Sequence, residues 1–124
     1  MLKTLLLVGA GGFLGSISRF LASRWIQTNI EPAFPLGTFL VNILGCFLIG
    51  LIYGFSEKSI SFPEGWKLFL TAGFCGGFTT FSTFANENLL LLRDGEFFYF
   101  FLYTILSVLL GITGAFLGVA VTKI

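Results

Sequence analysis

The sequence predicts an all-α integral membrane protein of four transmembrane helices, the third of them broken near its middle. Three observations predict it. Mean hydropathy is +0.96 and only 10% of residues are charged, against about 25% in an ordinary soluble domain. Four apolar stretches, each near the ~20 residues that a spanning helix needs, are separated by short polar segments. Inside the third, Gly73 to Phe84 reads GFCGGFTTFSTF, setting three glycines, four hydroxyls and four phenylalanines into an otherwise apolar run. In hydrocarbon every backbone N–H and C=O needs a partner, so such a segment persists only where it is buried in protein or lines a polar path.

The first span runs from Leu5 to Ile26. Met1 to Gly15 also has the look of a signal peptide, with Lys3 ahead of an apolar run that ends in small residues. The run continues as an apolar helix past Gly15, which favours a span. Within it Gly11 and Gly15, with Gly12 and Ser16, form overlapping small-xxx-small pairs that let backbones approach closely. Arg19 stands near the far end, where two readings remain open: a snorkelling interfacial anchor, or a group at a polar vestibule.

Pro32 and Pro35 mark the boundary to the second span, Leu36 to Phe55. There Thr38 and Asn42 lie one turn apart on a shared face. Asn42 is either a bridge between helices or a neutral donor facing a translocated ion. Gly50 and Gly54 repeat the packing spacing. Pro63 precedes the third span, Leu68 to Leu92, and the fourth runs from Phe97 to Val121. On the fourth, Tyr103, Ser107 and Gly111 form a strip at i, i+4 and i+8, while Gly111, Gly114 and Gly118 line one side for packing. Residues 1–124 read as a single four-span domain.

In the third span, Gly76 and Gly77 followed by Phe78 and Thr79 are expected to interrupt the helix and free carbonyls that can hold a cation. Beyond the break Thr79, Ser82 and Thr83 give a hydroxyl-bearing face, with Phe81 and Phe84 as an aromatic pair beside it. An aromatic ring has a positive edge. Ring edges with hydroxyl and amide donors replace the water around a small anion without a fixed charge that would trap it, the compromise that conduction needs. Glu87, one turn past Thr83, is the only acidic residue well inside a span and a functional candidate by default.

Several function classes fall away. The formal charge of +1 without a basic cluster argues against nucleic acid. The chain has no histidine, the commonest metal ligand and general base, so no nucleophile, base and orienting group can be assembled and an enzyme is not expected. Cys46 and Cys75 sit in different spans and read as small buried packing residues. Lys3, Lys58, Lys67 and Lys123 fall on one side of the membrane, Arg24 and Arg93 on the other, with Arg19 nearer the second side. So small a difference barely specifies a direction under the positive-inside rule. Insertion in both orientations and pairing as an antiparallel dimer follow as an expectation, with a permeation path between subunits.

These residues resemble the Fluc (CrcB) family of small fluoride channels over essentially the whole chain. Gly11-Gly12-Phe13-Leu14-Gly15 leading to Arg19 looks like the family's first-span motif, with Ser16 and Phe20 where Ala and Tyr are common. Gly37-Thr38 with Asn42, Gly45 and Gly50 looks like the second, with Cys46 where Ser is frequent. Gly73 to Phe84 is similar to the third-span signature throughout. The resemblance implies an antiparallel dual-topology homodimer in a prokaryotic plasma or inner membrane, with two pores exporting fluoride passively from the cytoplasm. It implies Asn42, Phe81 and Phe84 as pore lining, with Thr38, Ser82, Thr83 and Ser107 as polar lining. Arg19, Glu87 and Tyr103 would lie near the pore ends, and the backbone carbonyls of Gly76 and Thr79 would hold a structural sodium ion (Na+) between subunits.

Two other readings compete. A small four-helix proton-coupled exporter of cationic drugs needs an embedded carboxylate, carried in that family by a first-span Glu; the first span here has none, and Glu87 could serve only if it lay deeper than its place suggests. A membrane assembly subunit explains the glycines but not the hydroxyl face beside the break.

Overall fold

The computed structural model describes residues 1–28, 34–58 and 61–124. Helix α1 is Leu2–Thr28 and α2 is Leu36–Lys58. The third span is composite: α3 (Glu64–Leu68), a π-helical stretch (Phe69–Cys75), α4 (Gly76–Phe78) and α5 (Phe81–Arg93). Helix α6, Phe97–Thr122, completes the chain, and no strand occurs among the described residues. Four spans, Leu2–Thr28, Leu36–Lys58, Glu64–Arg93 and Phe97–Thr122, are long and apolar enough to cross a membrane.

Local chemistry sets the ends. Pro35 stands immediately before α2, and Pro63 is the N-cap of α3 in extended conformation, as residues without an N–H to lose should be. The boundary expected at Pro32 lies outside the described residues. Helix α5 closes on Gly95, whose φ of 76° is left-handed. Gly95 N–H donates to Leu92 C=O and Glu96 N–H to Leu91 C=O, the pairing that satisfies last-turn carbonyls. Gln27 ties the first two spans together. Its Nε2 donates to Phe34 C=O at 3.1 Å, and its Oε1 accepts from Gly37 N–H at 3.0 Å.

Small residues decide which spans touch. Helix α1 lies against the π-helical stretch and α4: a Cβ on Gly11 would stand 2.4 Å from Phe69 C=O, and one on Gly15 2.2 Å from Phe74 C=O. Helix α2 runs along α6, where a Cβ on Gly118 would stand 2.3 Å from Phe47 C=O and one on Gly50 2.2 Å from Ala115 C=O. The third span exchanges partners along its length. Its first part packs on α1, whereas α5 packs on α6.

The break lies later than its glycines suggest. Gly76 to Phe78 is helical, and the backbone turns extended only at Thr79 and Thr80, with ψ of 158° and φ of −151°. Glycine permits a break without compelling one. Gly73 and Gly77 instead serve contact with α1, a Cβ on Gly77 falling 2.6 Å from Gly12 C=O.

Because an added Cβ there would meet only backbone atoms, with no flexible side chain to move aside, Gly15→Ala and Gly118→Ala are each expected to destabilise by about 1–3 kcal/mol. Gly9→Ala, which meets nothing within 4 Å, should stay within about 0.5 kcal/mol. Thermal unfolding in detergent compares the three; equal midpoints would refute the packing role.

Candidate functional site

Two residues build the break. Asn42, on α2, meets the extended backbone of Thr80 with both ends of its amide: Oδ1 accepts from Thr80 N–H at 2.8 Å and Nδ2 donates to Thr80 C=O at 3.0 Å. A side chain thus replaces the helical partners that Thr80 has lost. Thr80 in turn caps α5, its Oγ1 accepting from Thr83 N–H at 3.2 Å. The hydroxyl cluster is accordingly Thr80, Thr83 and Ser82, with Oγ1 of Thr80 at 3.2 Å and 3.4 Å from the other two. Thr79 does not share that face. Its hydroxyl turns back to Cys75 C=O at 2.9 Å.

The interruption redistributes carbonyls. In a continuous helix Thr80 N–H would close on Gly76 C=O and Thr83 N–H on Thr79 C=O. Those N–H groups go instead to Asn42 Oδ1 and Thr80 Oγ1. Gly77 C=O receives a substitute from another span, Arg19 Nε at 3.0 Å. Arg19 is half-buried, and this bond turns its guanidinium onto the third span beside the break.

Past the break, Asn42, Thr80, Phe81, Phe84 and Ser107 share a cavity of about 260 Å3. The rings of Phe81 and Phe84 are 5.6 Å apart, and Phe84 lies 4.9 Å from Tyr103. Ser107 Oγ is buried without a hydrogen-bond partner among the described residues. An amide nitrogen carries two hydrogens, and Thr80 uses one from Asn42. Neither acid nor base lines this cavity.

One turn further Glu87 is bracketed by neutral donors, Tyr103 OH at 2.8 Å and Thr38 Oγ1 at 3.0 Å. Tyr103 is fully buried, at the centre of a cluster with Phe39 and Leu91. Glu87 also lines a cavity of about 370 Å3 with Gln27, Asp94 and Glu96, so its carboxylate stands between the aromatic cluster and an acidic mouth. Facing another way, Gly76 and Thr79 share a groove with Gly45, Cys46, Thr71 and Cys75.

The structure therefore brings together Asn42, Phe81, Phe84 and Ser107 around one cavity, and Thr38, Glu87 and Tyr103 in one hydrogen-bonded group. Ser82 is exposed, and Thr83 serves the cap. Two residues had escaped notice. Thr80 carries the ordinary N-cap signal, a threonine directly before a helix whose apolar residues recur at Phe81, Phe84 and Leu91. Asn88, 7% exposed with Oδ1 unpartnered among the described residues, has no such signal beyond being an amide within a span.

Over residues 6–119 the chain matches the family described as CrcB-like protein, Camphor Resistance (CrcB). The chain belongs to the CrcB family. It is 50% identical over 118 residues to a protein of Phocaeicola vulgatus named fluoride-specific ion channel FluC, covering 95% of this chain and 97% of the relative. A protein of the same name from Leptospira interrogans is 46% identical over 121 residues, 98% and 95% of the two chains. Another, from Flavobacterium psychrophilum, is 43% identical over 122 residues, 98% of each. These CrcB relatives are named as channels, not enzymes, and with four spans the present chain is a multi-pass bacterial membrane protein.

If Asn42 holds the break, Asn42→Leu strands both backbone groups of Thr80, at about 1–3 kcal/mol for each. The expected result is a lower unfolding midpoint together with faster amide exchange at Thr80; unchanged exchange there would show that the break stands without the amide.

Proposed function

We propose that the protein is a fluoride-selective channel, passing the ion down its gradient and out of the cytoplasm through two pores at the interface of an antiparallel homodimer. The observation that carries this reading is the cavity shared by Asn42, Ser107, Thr80, Phe81 and Phe84, which supplies neutral donors and ring edges and no fixed charge. The names of the relatives supply the ion.

A small anion entering this cavity exchanges water for the second Asn42 N–H, the Ser107 hydroxyl and the positive edges of Phe81 and Phe84. Each contact is favourable, and none is a salt bridge that would hold the ion. Phe81 is 78% exposed on a single chain, and in the antiparallel pair a second copy would cover it. One turn beyond the cavity, near the end of the proposed path, stands the hydrogen-bonded group of Thr38, Glu87 and Tyr103. Arg19 acts here through Gly77 C=O, fixing the end of α4 rather than binding the ion.

Gly76 and Thr79 fit the sodium role by their donor set, since the N–H groups that would occupy their carbonyls are bonded elsewhere. Carbonyl oxygens suit a hard cation, and two pairs from an antiparallel dimer would surround it. Bound there, the ion would supply a fixed positive charge that joins the subunits.

Fluoride efflux from liposomes holding the purified protein tests the function, with chloride as control. Rapid fluoride release without chloride release is expected; release that depends on a proton gradient, or that ignores the difference between the halides, would reject the reading. Phe81→Ile and Phe84→Ile should each slow efflux roughly 2- to 10-fold, the worth of an aromatic contact of ~0.5–1.5 kcal/mol, with the dimer intact. Preparation without sodium should destabilise the dimer, by about 2.7 kcal/mol if sodium otherwise stands at a hundred times its dissociation constant, and unchanged dimer stability would remove the cation.

A further inference from the structure

We propose that Cys46 and Cys75 form a two-thiol site for a soft cation such as Cu(I), Ag(I) or Hg(II), in a groove that shares a wall with the anion cavity. The two residues are far apart in sequence and on different spans, yet both thiols are free and both line one cavity of about 410 Å3. Cys46 reaches it from α2 beside Gly45 and Ile49. Cys75 reaches it from the end of the π-helical stretch, on the face that also presents Thr71, Gly76 and Thr79.

The chemistry of the groove separates cations by hardness. Its oxygen donors are carbonyls and threonine hydroxyls, suited to hard ions; its sulfur donors are two thiols, which select soft d10 ions. Lysine and arginine are absent from its lining, so the one positive charge a soft metal would meet there is the sodium proposed at Gly76 and Thr79. Cys75 is 2% exposed, but Cys46 opens both ways, lining the groove and the cavity of Asn42, Phe81, Phe84 and Ser107. Opposite it, α6 offers Gly111, where even a Cβ would keep 3.5 Å from Cys46 Sγ. A metal on Cys46 therefore stands at the wall of the anion cavity and brings a charge to a place that has none. Its effect on flux rests on the channel reading; its binding does not.

Mercuric chloride is the probe. Two S–H bonds and two Hg–Cl bonds break, two Hg–S bonds form, and two protons and two chlorides leave to solvent. Titration of the detergent-purified protein should show mercury–thiolate absorption saturating at one metal per chain, with two protons released per metal bound. Cys46→Ser and Cys75→Ser, which keep size and polarity, should each weaken binding more than about 100-fold, beyond what the loss of an outer-shell partner does to a metal site. Saturation at two metals per chain, or wild-type affinity in either variant, would overturn the shared site. In proteoliposomes mercury at the concentration that saturates the wild type should stop its fluoride efflux and spare Cys75→Ser; wild-type efflux persisting at saturation would overturn the shared wall. Vesicles without efflux before mercury is added would count against the channel reading instead, and the titration would still decide the site.

Discussion

The exchange between one side-chain amide and one backbone residue, Asn42 with Thr80, is the constraint from which the rest of this structure follows. A span cannot leave a peptide group unpaired in hydrocarbon, where each such group costs several kcal/mol. By donating to Thr80 C=O and accepting from Thr80 N–H, Asn42 makes an extended residue affordable at the middle of a helix. The span can then change neighbours, with α1 against its first part and α6 against its second. It can also turn Thr80 into a cap and leave the carbonyls of Gly76 and Thr79 to other partners.

Arg19 and Glu87, two charged residues within the spans, are each held by neutral atoms from a different span. Arg19 is bonded to Gly77 C=O, and Glu87 takes hydroxyls from Thr38 and Tyr103. Burying a charge is tolerable only when such bonds replace water. These bonds also fix geometry: Arg19 joins α1 to the end of α4, and Glu87 joins α5 to α2 and α6. The charges thereby act as struts between the spans, and neither lines the cavity.

Much of this was legible in the sequence. Span lengths follow from hydropathy, so all four spans lie within a few residues of their expected limits, and Pro35 and Pro63 punctuate them as their backbone chemistry requires. The facing of Thr38 and Asn42 follows from helical spacing. What spacing cannot reveal is a partner on another span. Gly76 and Gly77 looked like the interruption because glycine tolerates one, yet both are helical, since the event that decides the break is the capture of Thr80 by an amide 38 positions earlier. The pairing of Cys46 with Cys75 across one groove was hidden for the same reason. Asn42 and Arg19 advertised their need for partners, but the sequence could not name Thr80 or Gly77.

Neutrality is the property that most constrains the proposed path. A unit charge fixed 4 Å from an anion, at the effective dielectric of about 20 found near protein surfaces, adds about 4 kcal/mol of attraction. That would slow escape roughly a thousandfold. Hydrogen bonds to a charged species are individually worth about 1.5–3 kcal/mol and can be handed over one at a time as the ion advances. Arg19 on α1, turned to Gly77 C=O and absent from the cavity lining, satisfies this condition. The bond to Gly77 C=O also keeps the Arg19 guanidinium from becoming a trap.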